Sequence, residues 1–202
     1  MAELPVADDP LDALGDDVVA RVRMQGLVAS SMKLHGLDWD TVAIEQSRFS
    51  ASTFERCTFS EVLFTDCELS GVTFIDCRFR SCVISGGKAR AMLAFTGSSM
   101  SGLAMSLPID RLEIQNSRVD SLLIAGCTIN QVVFSHCRPL GKHGFLRMVD
   151  VNLGSVGGIS KLPAAGVNVE VDSNLWDSLG TLYLKQLGIA TVADTERIDV
   201  FD

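Results

Sequence analysis

The chain has 202 residues, of which 47% are hydrophobic and 21% charged, and its formal net charge is −8. This length and composition allow a sizeable core and exclude disorder over most of the chain. The acidic balance disfavours direct binding to nucleic acid or to anionic membranes. No apolar run has the length of a membrane-spanning helix, so we expect a cytoplasmic protein.

The first 30 residues carry 6 acidic and 2 basic side chains, an excess of negative charge that the following stretch does not share. We predict that residues 1–30 form an acidic N-terminal segment. The apolar positions between Leu11 and Leu27 would let this segment cap one end of the fold.

A period of five residues begins near residue 31. All six cysteines fall in one phase of it, from Cys57 to Cys137, and a larger apolar residue follows two positions later. A period of five fits neither an α-helix nor an extended strand, so each unit must turn a corner and point the same side chain inward again. We expect the following central residues to form the core: Phe49, Phe54, Phe59, Phe64, Leu69, Phe74, Phe79, Ile84, Ile114, Ile124 and Phe134.

Units this short bury little alone, so successive coils must stack on one another. Segments such as Cys57-Thr58-Phe59-Ser60-Glu61 and Cys77-Arg78-Phe79-Arg80-Ser81 resemble the pentapeptide-repeat family. The resemblance implies an all-β solenoid, a right-handed quadrilateral β-helix with about 20 residues in each coil. It covers roughly residues 32–139, although the position before the central residue is seldom the Asp or Asn typical of the family.

The phase weakens between Gly86 and Ser106. A shift of one residue after Gly86-Gly87 would bring Phe95, Met100 and Met105 inward, and a compensating deletion near Pro108 would restore the phase. We prefer this shift, because glycines can form a bulge and proline can end a ladder. The alternative is that the stretch leaves the coil as a functional loop.

The regular β-helix is therefore predicted over residues 31–140, followed by an irregular final coil over 141–172. Residues 173–202 are predicted to form a C-terminal helix and tail. Apolar residues recur there at spacings of three and four, as in an amphipathic capping helix. The predicted apolar face of this helix contains Leu175, Trp176, Leu179, Leu182 and Tyr183.

No catalytic, metal-binding or cofactor-binding motif is found. The cysteines follow the repeat and not the paired spacing of zinc sites, so we interpret them as small core residues. The three histidines, His35, His136 and His143, have no nucleophile or carboxylate at a catalytic spacing. We expect no enzyme activity and no cofactor.

Residues 20 apart should stack on the outside, and one such ladder is apolar: Ala43, Leu63, Val83, Leu103 and Leu123. An exposed apolar ladder indicates a partner surface or a surface covered by the chain termini. If the register shifts, Leu103 leaves the ladder, so the candidate partner surface is Leu63, Val83 and Leu123. A homodimer through this ladder or through the C-terminal helix would be one use of it.

The sequence thus predicts a non-catalytic scaffold that binds a protein of unknown identity. Some members of the family are thought to bind DNA gyrase or topoisomerase IV by imitating duplex DNA, which is the alternative function. Residues 31–140 carry 11 acidic and 10 basic side chains, whereas a DNA mimic should be dense in carboxylates. The resemblance supports the gyrase hypothesis and this charge count opposes it.

Overall fold

The computed structural model describes residues 4–7, 18–172 and 190–191, and most of them lie in β-strands. The strands are β1 Val18–Gln25, β2 Val28–Ser30, β3 Lys33–His35, β4 Asp38–Glu45, β5 Arg48–Ser50, β6 Thr53–Glu55, β7 Thr58–Ser60, β8 Leu63–Thr65, β9 Glu68–Ser70, β10 Val72–Ile75, β11 Arg78–Ser85, β12 Leu93–Thr96, β13 Ser99–Ser106, β14 Ile109–Gln115, β15 Arg118–Ser135, β16 Arg138–Pro139, β17 Gly144–Gly157, β18 Val167–Val171 and β19 Ala190–Thr191. Two short 3-10 helices, Ile159–Lys161 and Pro163–Ala165, follow β17.

The strands form a parallel β-solenoid of about eight turns. Every strand pairing is parallel, and in the first coils each residue pairs with the one 20 positions later, as Asp38 does with Thr58 and Thr58 with Arg78. Stacked parallel strands join the coils through backbone hydrogen bonds. The solenoid is the fold that the five-residue period predicts.

The corners of the coil explain the period. A residue with a left-handed backbone recurs every five positions, for example Gln46 with φ of 49°, Ala51 with 51° and Arg56 with 56°. Such residues turn the chain sharply, which L-amino acids other than glycine rarely do without support. Each coil therefore has four sides, with one central inward residue per side.

We number the four faces by their central residues. In chain order these are face 1 (Val19, Trp39, Phe59, Phe79, Met100, Val119), face 2 (Met24, Ile44, Phe64, Ile84, Met105, Ile124), face 3 (Ala29, Phe49, Leu69, Ala89, Ile109, Ile129) and face 4 (Leu34, Phe54, Phe74, Phe95, Ile114, Phe134). The residue before each central residue, the leading residue, and the one after it, the trailing residue, point outward.

The central residues fill the interior. All eleven central residues that the sequence assigned to the core are at most 4% exposed. Their rings stack from coil to coil, with centroid distances of 5.0 Å between Phe54 and Phe74 and 5.1 Å between Phe74 and Phe95. The interior is thus one continuous apolar column.

The weak stretch is a shift in register and not a loop. Phe74 pairs with Phe95, 21 residues later, and Phe95 with Ile114, 19 residues later. Ala89 still pairs with Ile109 at a spacing of 20, so the extra residue lies between Ala89 and Leu93 and not directly after Gly86-Gly87. Phe95, Met100 and Met105 are buried, as the preferred interpretation predicted.

The ends of the solenoid differ from its regular part. The first coil already begins at Val18, before residue 31, so β1 pairs with β4 as a coil strand and not as a separate cap. The final coil is longer, because Ser121 pairs with Phe145 at a spacing of 24. The predicted capping helix, with Leu175, Trp176, Leu179, Leu182 and Tyr183, lies outside the described residues. None of the helices in the described ranges is long and apolar enough to span a membrane.

Candidate interaction surface

The inward cysteines serve the structure of the coil. Each lies two positions before a central residue, and the thiols of Cys77 and Cys82 donate to the carbonyl oxygens of Phe54 and Phe59 at 3.3 Å. Burial raises the pKa of Cys67 and of Cys127 to about 11. These two thiols are therefore protonated at neutral pH and are poor nucleophiles and metal ligands.

The described part of the chain contains no group of three or more His, Cys, Asp or Glu side chains that could hold a metal ion. His35, His136 and His143 are all exposed. His136 borders a cavity of about 230 Å³ that Arg138 and Lys161 also line. The Oγ of Ser135 lies 2.8 Å from His136 Nδ1, but no carboxylate among the lining residues orients the ring.

Face 2 carries the apolar ladder that the sequence singled out. Leu63 pairs with Val83, Val83 with Ala104, and Ala104 with Leu123. The register shift turns Leu103 inward, where it is 1% exposed, and Ala104 takes its place in the ladder. The leading ladder is therefore apolar over five coils, and we call Ala43, Leu63, Val83, Ala104 and Leu123 the apolar stripe. Its two alanines, Ala43 and Ala104, are each only 7% exposed.

The rest of face 2 keeps the apolar stripe free of charge along its middle. The trailing residues beside it are Thr65, Ser85, Ser106 and Ala125. Ion pairs flank the stripe at both ends: Arg23 lies 3.7 Å from Glu45, and Arg147 lies 2.6 Å from Glu170. Leu63, Val83 and Leu123 are half-buried by their neighbours.

The terminal segments reach the two ends of face 2. Val6 pairs with Arg23, before the first coil, and β19 pairs with β18 after the last one. Both contacts extend the edges of the sheet of face 2. Neither places a described residue on top of the apolar stripe.

The other three faces carry charged outward ladders. On face 3, Glu68 lies 3.1 Å from Arg48 and 3.7 Å from Lys88, so the charges alternate from coil to coil. On face 4, Lys33 lies 2.7 Å from Glu55, and the hydrogen bond from Lys33 lowers the pKa of that carboxyl. On face 1, Asp38 and Asp40 lie in the second coil and arginines lie in later coils, where Asp120 lies beside Arg118.

Residues 46–86 match the family model for pentapeptide repeats, in 8 copies. The chain therefore contains a segment of pentapeptide repeats. No curated protein matches its sequence.

Among solved structures, the chain is similar to QnrB1, a plasmid-mediated fluoroquinolone resistance protein. With one trypsin-treated variant of QnrB1 it shares 16% identity at a TM-score of 0.40, covering 95% of this chain and 100% of the other. With a second trypsin-treated variant the identity is 14% and the TM-score 0.33, covering 85% and 100%.

The net negative charge of the chain comes mainly from residues before 18 and after 172. Residues 18–172 carry 14 acidic and 15 basic side chains, whereas residues 1–17 carry 6 acidic and no basic ones. Residues 173–202 add 5 acidic and 2 basic ones. Face 2, where both terminal segments return to the sheet, is also the face with the longest uncharged ladder.

Sequence reasoning missed two features of the outer surface. It did not place Ala104 in the apolar stripe, although the register shift that it preferred requires this. It also did not include the trailing residues of face 1, which add Asp40, Arg80 and Asp120 to the charged groups of this face.

Proposed function

We propose that this chain is a non-catalytic scaffold that binds another protein through the apolar stripe of face 2. The observation that carries the proposal is the uncharged ladder from Ala43 to Leu123, which spans five consecutive coils. The centre of a protein interface is typically depleted in charged residues and surrounded by a polar rim. The ion pairs Arg23–Glu45 and Arg147–Glu170 would form part of that rim.

The shape of the surface suits a flat partner. The larger side chains of the stripe are Leu63, Val83 and Leu123, and the alanines Ala43 and Ala104 lie among them in the ladder. The stacked coils hold these side chains at fixed spacings of about 4.8 Å. We expect the partner to present a flat row of apolar side chains that matches the apolar stripe. Because the stripe is held rigidly by the stacked coils, it would lose little conformational entropy on binding such a partner.

The charge arrangement favours this function over imitation of duplex DNA. Duplex DNA carries one negative charge per ~1.7 Å of its axis. A solenoid of about eight turns, with ~4.8 Å per turn, would therefore need roughly 20 negative charges to match DNA of the same length. Residues 18–172 instead contain one more basic than acidic side chain. Several of their carboxylates, such as Glu55 and Glu68, form ion pairs with Lys or Arg of a neighbouring coil.

The proposal is tested by affinity capture with matched variants. Two tagged proteins, the parent and the double variant Leu63→Glu plus Val83→Glu, are each used to capture proteins from lysate of the organism that encodes the chain. The double variant, called the stripe variant, places two negative charges on the apolar stripe. The control is Thr53→Glu plus Thr73→Glu, which places two stacked charges at the equivalent positions of face 4. We expect one protein to bind the parent and the control and to be lost from the stripe variant. A protein bound equally by all three, or by none, would contradict the proposal.

DNA gyrase is the alternative partner, and a supercoiling assay tests it directly. We expect that micromolar parent protein leaves ATP-dependent supercoiling unchanged, with and without a quinolone. Inhibition of supercoiling or protection from the drug would instead support the topoisomerase function. If the stripe variant then kept that effect, the binding surface would have to lie on another face.

A further inference from the structure

We propose that face 1 is a self-complementary surface through which two copies of this chain associate side by side with antiparallel axes. The proposal is independent of the proposed function, because the apolar stripe lies on the neighbouring face. Its basis is the distribution of charge along face 1. Asp38 and Asp40 lie in the second coil and the arginines lie in later coils, where Asp120 is the one acidic residue among the described outward residues of this face.

The arginines of face 1 are available for a partner. Arg78, Arg80, Arg118 and Arg138 are all exposed, and none of them forms an ion pair within the described residues. By contrast, Arg48, Lys88 and Lys33 on faces 3 and 4 pair with carboxylates of the same chain. Face 1 therefore has the largest group of arginines without a carboxylate partner in the described coils.

An antiparallel pair of face 1 surfaces is related by a two-fold axis that lies in the contact plane and runs parallel to the strands. In such a contact the leading residues of one copy oppose the leading residues of the other, in reverse order of coils. We place the axis between the fourth and fifth coils. The leading ladder of coils two to seven is Asp38, Thr58, Arg78, Ser99, Arg118 and Arg138.

This placement opposes complementary groups along the leading ladder. Asp38 of one copy faces Arg138 of the other, Thr58 faces Arg118, and Arg78 faces Ser99. Each pair occurs twice because of the two-fold axis. No two like charges are opposed, and every arginine faces a carboxylate or a hydroxyl group that can accept its hydrogen bonds.

The trailing ladder is also compatible with the contact. Arg80 faces Ser101, and Asp120 of the other copy lies one coil further, about 4.8 Å along the axis. Asp120 already accepts a hydrogen bond from the hydroxyl of Ser101 at 2.9 Å, which holds it over that side of the face. The remaining pairs, Asp40 with Leu140 and Ser60 with Asp120, also oppose no like charges.

The contact should be weak and sensitive to salt. From the second coil to the seventh it is about 24 Å long, so it falls below the ~800 Å² that each partner buries in a standard interface. Exposed ion pairs are screened over about 10 Å at 0.1 M salt. We therefore expect a dimer that forms at high micromolar protein in low salt and dissociates as salt is added.

Sedimentation of the full chain tests this pairing through a charge exchange. Asp38→Arg places an arginine opposite Arg138 of the other copy, and Arg138→Asp places a carboxylate opposite Asp38. Because of the two-fold axis, each single variant brings like charges together at two points of the dimer. We expect each to raise the dimer dissociation constant by about tenfold or more. The double variant Asp38→Arg plus Arg138→Asp restores opposite charges at both points and should return the constant to within about threefold of the parent. Arg90→Asp, an exposed arginine of face 3, is the matched control and should change nothing.

Circular dichroism and the melting temperature of each variant confirm that it is folded. A parent that stays monomeric at about 20 mM salt would overturn the proposal. So would a dimer that both single variants leave intact, or single variants whose effect the double variant does not reverse. If the parent is monomeric but binds a short DNA duplex, face 1 is a polyanion surface and the dimer is wrong.

Discussion

The regular coils between Thr53 and Ser85 and the shifted segment between Leu93 and Ser106 build the same interior from different spacings. In the regular coils each residue pairs with the one 20 positions before it, as Phe79 does with Phe59. In the shifted segment Met100 pairs with Phe79 at a spacing of 21. Both segments bury their central residues almost completely.

The difference shows that burial, and not a fixed count of residues, determines the register. Without the extra residue, Ala94, Ser99 and Ala104 would be central and one coil would lack large side chains. With it, Phe95 stacks on Phe74 at 5.1 Å, nearly the distance of 5.0 Å between Phe54 and Phe74. The extra residue lies at a corner of the coil, between Ala89 and Leu93. The regular phase is restored before Ile109, which pairs with Ala89 at a spacing of 20.

The largest effect is expected from a charge in the regular core. Phe59 is fully buried and its ring lies 5.0 Å from that of Phe79 and 5.4 Å from that of Trp39. Phe59→Asp would bury a carboxylate without a partner, so we expect loss of folding, since domains are stable by only about 5–15 kcal/mol. Circular dichroism checks this, with Phe59→Leu as the folded control. Equal melting temperatures of the parent and Phe59→Asp would contradict the inward position.

The second prediction compares the two regions directly. Phe54→Ala and Phe95→Ala each remove a ring that stacks on Phe74, one in a regular coil and one in the shifted segment. We expect each to lower the free energy of unfolding by about 3–5 kcal/mol, because both leave a cavity in the same column. Urea unfolding measures both. A cost below about 1 kcal/mol for Phe95→Ala alone would show that the shifted segment does not share the core.

A smaller effect is expected at Ser98, where the shifted segment keeps a hydrogen-bonding position of the regular coils. Its hydroxyl donates to the carbonyl of Phe74 at 3.2 Å and accepts from the backbone N–H of Cys77 at 3.1 Å. Ser98→Ala should cost about 1–3 kcal/mol, since buried backbone groups lose their partner. Ser98→Cys should cost less, because Cys77 fills the same position one coil earlier. Urea unfolding would contradict this account if Ser98→Cys were the more damaging change.

The smallest effect is expected on the outside of the regular coils. Arg78 is exposed and forms no ion pair within the described residues. Arg78→Ala should change the free energy of unfolding by less than about 0.5 kcal/mol. A loss of several kcal/mol in urea would mean that the outward ladder contributes to the fold, contrary to this account.

The sequence predicted the solenoid because its interior is periodic. A central residue such as Phe59 or Phe74 must fill the same space in every coil, so the period is visible in one sequence. The site of the register shift was misplaced by a few residues, because Gly86-Gly87 is the more obvious bulge but Ala89 still pairs at the regular spacing. The outer ladders were harder to predict, since outward positions such as Ala104 are free to vary and depend on the register of every preceding coil.

The central claim is that face 2 contacts a partner protein and the other faces do not. The most direct test places a photoreactive residue at one leading position of each face, at Arg78, Val83, Lys88 and Thr73, in cells of the encoding organism. These positions are held by the same part of the solenoid, so differences in crosslinking report the face and not the coil. We predict a crosslink to one other protein from position 83 alone, apart from crosslinks to a second copy from position 78, which their mass distinguishes. Crosslinks to the same protein from all four positions, or from every position except 83, would contradict the claim.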